Sequence, residues 1–412
     1  MLKVCCLIFR RRLCLTSPRI VEEVESEMIY QHVLKIEGPR HPIDSLEKLD
    51  KAANYIRSEF REYGLQVNEQ RFKVEDFDAT FRNVEGIMGD NGDAEFLIVS
   101  HYDTVWDSPG ANDNGSGVAT MLESARVLAQ ECSNIHPVRF VSFTLEERNP
   151  AWELGSRRDA RSLGLIDKQN RYRSSQTHRL MKRALDLQAK SLAAGKTLVE
   201  ALEDSRIRLQ GEMSESEIEY LKRSEERFRG VTVTSWPGKT ALLGSGFWVE
   251  EAIRANRKVL GAVNLETLGY TSSKNHSQTL PEGVNQTMFR TYKIPDVTIG
   301  NFIAVVGDAN SDKLAQSFCN QCRLGSVDLP YACLQVPLRF DDIAKLGLHD
   351  LLRSDHACFW RGGIPSLMVT DTANFRYPFY HTRADTADKL DTQFMAKVCK
   401  AIIAMVIDCV SA

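Results

Sequence analysis

Histidine and carboxylate side chains recur in this sequence at the points where apolar, strand-like segments end. His101 follows FLIVS, Glu146 and Glu147 end VRFVSFTLEE, and Glu266 ends AVNLE. Imidazole nitrogen and carboxylate oxygen are ligands that zinc binds in proteins, and a catalytic zinc keeps one position for water. The full set of candidates is His101, Asp103, Asp113, Glu146, Glu147, Glu266 and His381. Together, these residue types have the composition of a metal centre.

Each of these motifs is weak evidence when it stands alone. A single H-x-D is common on protein surfaces, and adjacent glutamates commonly lie at a solvated strand end. Asp113 lies in SPGANDNGSG, a glycine-rich loop before a helix, and such loops also bind phosphate. This loop lacks the G-x-x-x-x-G-K-[ST] pattern, however, and its acidic side chain would repel an anion. The order of the motifs along the chain is therefore more informative than any one of them.

Strand-like and helix-like segments alternate through most of the chain. Apolar residues at three- and four-residue steps predict helices over 46–60 and 115–130, and apolar runs predict strands between them. This alternation is typical of an α/β fold with a mainly parallel central sheet and helices on both faces. Sites in such sheets form at the carboxyl ends of the strands, where the candidate residues lie. A final amphipathic helix is expected to begin at Asp385 or Thr386.

Residues 148–240 interrupt this alternation. The stretch is rich in Arg, Lys, Glu, Gln and Ser, and Ser214 and Glu217 have the spacing of a helix capping box. We expect a helical insertion within a domain that spans 28–412. Three interpretations stay open for it: a solvated decoration, a lid on the site, or an arm for homo-oligomer formation.

Composition excludes several classes of protein. The 412 residues carry a net charge of −3, which gives no sign of nucleic-acid binding. No apolar run approaches the roughly 18–20 residues of a membrane span. The ten cysteines have neither the density nor the spacing of a disulfide scaffold. Arg10 to Arg12 interrupt the apolar stretch that a secretory signal needs, so residues 1–27 are predicted to be an unstructured leader, or to precede a true start near Met28. A cytoplasmic location is expected.

The motifs, taken in order, resemble those of one enzyme family. Six segments of the chain are similar to segments of the M28 family of co-catalytic zinc metallopeptidases, which includes the bacterial leucyl-type aminopeptidases. They are HYDT, SPGANDNGSG, FTLEE, GAVNLETLGY, SDHACFWRGGIPS and YHTRADTADKLD. The resemblance extends from about Met28 to the carboxyl terminus, apart from the insertion. It implies the zinc-exopeptidase fold, two bound zinc ions and peptide substrates.

The resemblance also implies a role for each candidate residue. Five are implied metal ligands: Asp113 bridging the two ions, His101 and Glu266 on one ion, and Glu147 and His381 on the other. Glu146 matches the general base, Asp103 matches the acid that orients His101, and Tyr380 matches a residue that can hydrogen-bond the developing oxyanion. Ser354, Asp355 and His356, in SDHACFW, are expected to pack near the site or to support its ligands.

One position departs from the family pattern. The third ligand is often aspartate, whereas this chain has Glu266. The extra methylene moves the carboxylate by about one bond length, which could weaken the second zinc site or alter its geometry. We keep Glu266 as an expected ligand.

The leading hypothesis is therefore a zinc-dependent exopeptidase that removes residues from the amino terminus of peptides. A glutaminyl cyclase of the same fold would use one zinc ion and transfer an aminoacyl group within its substrate. The presence of both His101 and Glu266 argues against this alternative, and the complete ligand set argues against a receptor-like domain that has lost its metal. A carboxypeptidase stays open, because metal ligands alone do not say which end of the substrate is held.

Overall fold

Nine strands form one sheet in the computed structural model, which describes residues 17–89, 94–132 and 137–410. In chain order the strands are β1 (Gln66–Lys73), β2 (Thr80–Met88), β3 (Glu95–His101), β4 (Val138–Phe143), β5 (Val259–Glu266), β6 (Phe289–Tyr292), β7 (Ile303–Gly307), β8 (Tyr331–Gln335) and β9 (Ser366–Thr370). Their spatial order is β1-β2-β4-β3-β5-β9-β7-β8-β6.

The centre of the sheet is the parallel group β4-β3-β5-β9. Every residue of β3 and β4 is buried, as expected for parallel strands covered on both faces. The flanking pairs β1–β2, β2–β4, β7–β9 and β6–β8 are antiparallel. The expected α/β fold is confirmed, and its sheet is mixed, with four parallel strands at the centre and a further parallel pair, β7–β8, towards one edge.

Helices cover both faces of this sheet. In chain order, the helices of the described residues are α1 (Ser17–Ile20), α2 (Ser26–Ile36), α3 (Leu46–Glu62), α4 (Gly117–Glu131), α5 (Pro150–Ser162), α6 (Ser175–Ala193), α7 (Leu198–Leu209), α8 (Glu215–Arg227), α9 (Leu243–Arg254), α10 (Asp312–Cys322), α11 (Phe340–Lys345), α12 (His356–Arg361) and α13 (Thr392–Val410). Phe96 and Ile98 of β3 join the apolar core formed with α1 to α4, α10 and α13. Leu97 and Val99 point to the other face, where α9, α11 and α12 pack.

The amino-terminal prediction needs correction. Residues 17–27 belong largely to helical structure, and Ile20 and Val21 are fully buried in the core. The apolar pair packs under the carboxyl-terminal helix, so this segment is not an unstructured leader. The rest of the predicted leader, residues 1–16, lies outside the described residues.

Residues 148–240 contain the helices α5 to α8 and no strand of the nine-stranded sheet. Both α7 and α8 begin with a capping box, and the second of these joins Ser214 to Glu217 as the sequence indicated. The first helix of the segment is tied to the loop after α2, since Arg157 bonds Asp44 at 2.6 Å and Glu153 lies 3.0 Å from His41 Nε2.

The last helix begins later than expected. A short 3-10 turn, Ala387–Lys389, precedes α13, which starts at Thr392. Asp385 is instead buried and accepts backbone hydrogen bonds from the loop that contains Asp113. Within the described ranges, we find no helix with the length and hydrophobicity needed to cross a membrane.

Candidate metal centre

The candidate residues meet at the carboxyl edge of the four parallel strands. His101 and Glu266 are the last residues of β3 and β5. Glu146 and Glu147 lie in the turn after β4, and His381 lies in the loop after β9. Asp113 lies in the turn Ala111–Ser116 that leads into α4. Adjacent parallel strands end at one edge, which brings together residues that are distant in sequence.

Two sets of ligand atoms form at this edge. His101 Nε2 lies 3.4 Å from Glu266 Oε2, 3.5 Å from Asp113 Oδ1 and 3.8 Å from Glu146 Oε2. His381 Nε2 lies 3.0 Å from Asp113 Oδ2 and 3.2 Å from Glu147 Oε2. Asp113 therefore presents one carboxylate oxygen to each histidine.

The donor atoms fit a divalent cation in each set. Ligands about 2.0–2.2 Å from a tetrahedral ion are roughly 3.3–3.6 Å from one another, which is close to these separations. Among the described residues, His101 Nε2, Asp113 Oδ2 and Glu147 Oε1 are buried without a hydrogen-bond partner. Buried polar atoms of native proteins are nearly always satisfied. A bound cation would satisfy these atoms.

The electrostatics also favour a cation. Burial alone would lower the pKa of His101, but Glu146 and Glu266 outweigh it and raise that pKa well above the usual range. The pKa of His381 is raised to about 10 against the effect of burial, mainly by Glu147 and Asp113. Burial raises the pKa of Glu146, and His101 offsets only part of this rise. The cluster thus carries more negative charge than its histidines neutralise, and metal binding would displace protons from it.

Asp103 supports two parts of the centre at once. Its Oδ1 accepts a hydrogen bond from Glu146 N at 3.1 Å, and its Oδ2 accepts one from Glu147 N at 3.2 Å. The same Oδ1 lies 3.5 Å from His101 Nδ1, the ring nitrogen opposite the one that faces Asp113. A carboxylate in this position fixes the tautomer and orientation of a metal-binding histidine.

Two further residues hold the ligands in place. Ser354 Oγ donates to Glu266 Oε2 at 2.7 Å, and accepts from Asn264 Nδ2 at 2.7 Å. This contact agrees with the supporting position expected for the SDHACFW motif. Asp385 accepts the backbone N–H groups of Asn112 and Asp113 at 2.8 and 3.1 Å, and thereby fixes the bridging loop. We did not predict this role of Asp385, although its place four residues after His381 was a usable signal.

His356 and Tyr380 occupy different surroundings. His356 is buried, its Nε2 lies 2.8 Å from Leu351 O, and its ring packs edge-on against Trp360, so it serves packing. Tyr380 stacks on His381 with ring centroids 3.8 Å apart. Burial and the nearby Asp113 raise the pKa of the Tyr380 hydroxyl, which keeps it protonated as a hydrogen-bond donor.

Two cavities open at opposite ends of the centre. The first borders Glu266 and Tyr380, has a volume of about 90 Å³, and is lined mainly by apolar side chains such as Phe302, Leu334 and Met368. The second borders Glu147 and His381, has a volume of about 700 Å³, and is lined by charged and polar side chains together with apolar ones. The centre therefore borders a small apolar pocket and a wide cleft of mixed lining.

Comparison with known proteins agrees with this arrangement. The family model described as peptidase family M28 matches residues 83–176 and 340–406, which contain every candidate residue except Glu266. The aminopeptidase YwaD of Bacillus subtilis is 40% identical over 96 residues, which is 22% of this chain and 21% of that protein.

Solved structures share the fold over nearly the whole chain. The LapA aminopeptidase of Legionella pneumophila superposes with a TM-score of 0.57 at 16% identity, over 96% of this chain and 75% of that one. The glutaminyl cyclase of Porphyromonas gingivalis superposes with a TM-score of 0.53 at 15% identity, over 93% of this chain and 98% of that one. Over the matched segments the chain is similar to peptidase family M28, and the family match and the YwaD similarity support a metallopeptidase.

Proposed function

We propose that this protein is a zinc-dependent aminopeptidase with two zinc ions per chain. Asp113 would be shared by the two ions, His101 and Glu266 would hold one of them, and Glu147 and His381 would hold the other. The observation that carries the proposal is the position of Asp113, whose two carboxylate oxygens each face a different histidine, at 3.5 and 3.0 Å. The described residues form two candidate ligand groups, His101 with Glu146 and Glu266, and Asp113 with Glu147 and His381. The contact of Asp113 Oδ1 with His101 Nε2 joins them.

The residues around the ions supply the remaining chemistry. Bound zinc would polarise the scissile carbonyl and lower the pKa of the attacking water. Glu146 would accept the proton of this water and pass it to the leaving amine, because its carboxylate lies 3.8 Å from His101 Nε2 and its backbone is held by Asp103. Tyr380 donates a hydrogen bond to the oxyanion that develops on the carbonyl oxygen.

The two cavities support cleavage at the amino terminus. The narrow apolar pocket beside Glu266 accepts one apolar side chain, and the excess of carboxylates around it attracts a free α-ammonium group. The open cleft on the other side accommodates the rest of the peptide. The names of YwaD and LapA agree with this polarity.

A glutaminyl cyclase is the second candidate, because the fold is about as similar to the Porphyromonas gingivalis cyclase as to LapA. The proposal of a peptidase over a cyclase depends on the second ligand set. A cyclase with one zinc ion does not need two ligand sets, each with a histidine and a glutamate, that are joined by one bridging aspartate. Here both groups are present among the described residues: His101, Asp113 and Glu266 are buried, Glu147 is partly buried, and His381 is exposed.

A panel of small substrates tests this function. Leucyl-, phenylalanyl- and glutamyl-p-nitroanilide, N-acetyl-leucyl-p-nitroanilide and an N-terminal glutaminyl peptide are incubated with the zinc-loaded protein. Hydrolysis of the free leucyl or phenylalanyl compounds and resistance of the acetylated one are expected. Cyclisation of the glutaminyl peptide without any hydrolysis would support the cyclase instead. Cleavage only of N-blocked peptides with a free carboxyl terminus would assign the opposite polarity.

A further inference from the structure

The wide cleft beside the metal centre, which we call the insertion cleft, is shared between the catalytic domain and the helical insertion. Glu147 and His381 form its inner end. One wall is formed by residues 104–106 of the loop after β3, and the other by Ile166, Tyr172 and Tyr220 of the insertion. The insertion thus shapes the space directly next to two of the proposed ligands.

The insertion wall is held firmly against the domain. Arg157 of α5 bonds both Asp44 and Glu153 at 2.6 Å, which ties the helix to the loop after α2. Ser156 Oγ lies 2.8 Å from Tyr220 Oη, which ties α5 to α8. The rings of Tyr172 and His178 stack with centroids 5.3 Å apart. These contacts give the cleft a defined shape in the absence of substrate.

The charges that line the cleft are not balanced. Besides the proposed ligands, its titratable side chains are His41, Arg148, Glu153, Arg157, Arg171, Tyr172, His178 and Tyr220. The one carboxylate in this group, Glu153, is taken by His41 and Arg157. Arg148 and Arg171 are exposed, and neither guanidinium forms an ion pair or hydrogen bond with another described residue. Arg148 is near enough to Glu153 to help lower the pKa of that carboxylate, but it forms no bond with it, so the cleft offers two exposed cations.

We infer that the insertion cleft binds the part of the peptide that follows the scissile bond, and that Arg148 and Arg171 bind a carboxylate of that part. This inference rests on the proposed aminopeptidase function. A guanidinium pairs with a carboxylate through two parallel hydrogen bonds, which gives both affinity and orientation. Arg148 directly follows Glu147, and an extended chain advances about 3.3–3.6 Å per residue, so a carboxylate one or two residues beyond the scissile bond comes within its reach. The preferred substrates are short peptides with a free carboxyl terminus.

The test compares substrates that differ only in this carboxylate. kcat/KM is measured for Leu-Leu, Leu-Leu-amide and leucyl-p-nitroanilide with the zinc-loaded wild type, Arg171→Gln and Arg148→Gln. Hydrogen bonds to a charged group correspond to about 10- to 100-fold in affinity. We expect wild type to prefer Leu-Leu over its amide by at least this lower factor, and each variant to lose most of that preference through a higher KM. The p-nitroanilide, which carries no carboxylate, and the zinc content are measured for every protein, so that a loss of the carboxylate preference is separated from damage to the metal centre.

Arg179→Gln is the matched control, because Arg179 is an exposed arginine of α6 that does not line the cleft. A second pair, Leu-Glu-amide and Leu-Gln-amide, distinguishes a terminal carboxylate from an acidic side chain as the bound group. Equal kcat/KM for acids and amides in active wild type would overturn the inference and leave the aminopeptidase function standing. A preference that persists in both cleft variants would overturn the assignment of the arginines. Failure of every substrate with a free amine would instead contradict the proposed function itself.

Discussion

Three residues make the account testable at the level of single residues, because each has a different relation to the proposed zinc ions. They are Asp113, Glu146 and Ser354. Asp113 faces both histidines, Glu146 lies at the edge of one ligand set, and Ser354 touches only Glu266. Substitutions of Glu146, of Ser354 and of Asp113 should therefore give three different phenotypes.

Glu146→Gln separates catalysis from metal binding. The amide is nearly isosteric but cannot accept the proton of the attacking water, so kcat should fall by about 10²–10⁴-fold while zinc content stays at the wild-type value. Leucyl-p-nitroanilide kinetics and elemental analysis measure the two quantities, with Glu22→Gln as an exposed control. Wild-type turnover in Glu146→Gln would defeat its assignment as the general base.

Ser354→Ala should lower the affinity for one zinc ion and leave the affinity for the other unchanged. Without its hydrogen bond at 2.7 Å, Glu266 is less well oriented, and loss of such support typically reduces metal affinity by about 10–100-fold. Zinc titration of the stripped variant should show one weakened and one unchanged binding step. Equal weakening of both steps, or of neither, would contradict the placement of Glu266 in one ligand set.

At the scale of elements, the attachment of α5 to the catalytic domain decides whether the insertion cleft keeps its shape. Arg157 is buried between Asp44 and Glu153, whereas the Arg183–Glu212 pair within the insertion is about half exposed. Loss of a buried arginine that leaves carboxylates without partners lowers the free energy of unfolding far more than loss of an exposed ion pair.

Arg157→Ala is therefore expected to lower the free energy of unfolding by about 1–3 kcal/mol, a value reduced from that of fully buried pairs because Asp44 is 32% exposed. Arg183→Ala, the control, should change it by less than about 1 kcal/mol. Urea unfolding followed by circular dichroism gives both values. Similar effects of the two substitutions would show that α5 is not anchored through Arg157.

At the scale of the whole molecule, acid should destabilise the fold through buried histidines away from the metal centre. His32 of α2 is buried between Tyr55 and Tyr63, and burial followed by Arg126 lowers its pKa to about 4. The unfolded chain takes up this proton near pH 6.5 and the folded chain only near pH 4. Stability is therefore lost as pH falls between these values, by up to about 3 kcal/mol.

His32→Gln should remove this part of the acid dependence. The stability difference between wild type and His32→Gln is measured by urea unfolding from pH 7 to pH 4, and wild type should lose more stability over this range than the variant. His276→Gln, at an exposed position, is the control. Since zinc loss at low pH affects all three proteins, it cancels in the comparison. Parallel pH curves for wild type and His32→Gln would contradict the prediction.

The sequence allowed prediction of the parts of this molecule that depend on local pattern. Parallel strands such as β3 are continuous apolar runs, and the candidate residues directly follow them, so fold class and clustering could both be expected. The antiparallel edge strands were harder to predict from the sequence, because β1 is largely exposed and its pairing with β2 is decided by tertiary contacts. The role of Asp385 and the helices before Met28 also depend on distant partners, which no local pattern reveals.

The measurement that tests the central claim most directly is activity as a function of bound zinc. Chelator-stripped protein is titrated with zinc, and hydrolysis of leucyl-p-nitroanilide is followed together with the bound zinc per chain. Because Asp113 joins two ligand sets, we predict that activity becomes maximal only near two zinc ions per chain, and that Asp113→Asn binds both ions more weakly. Full activity at one zinc ion per chain, with no further rise at higher occupancy, would contradict the two-zinc account.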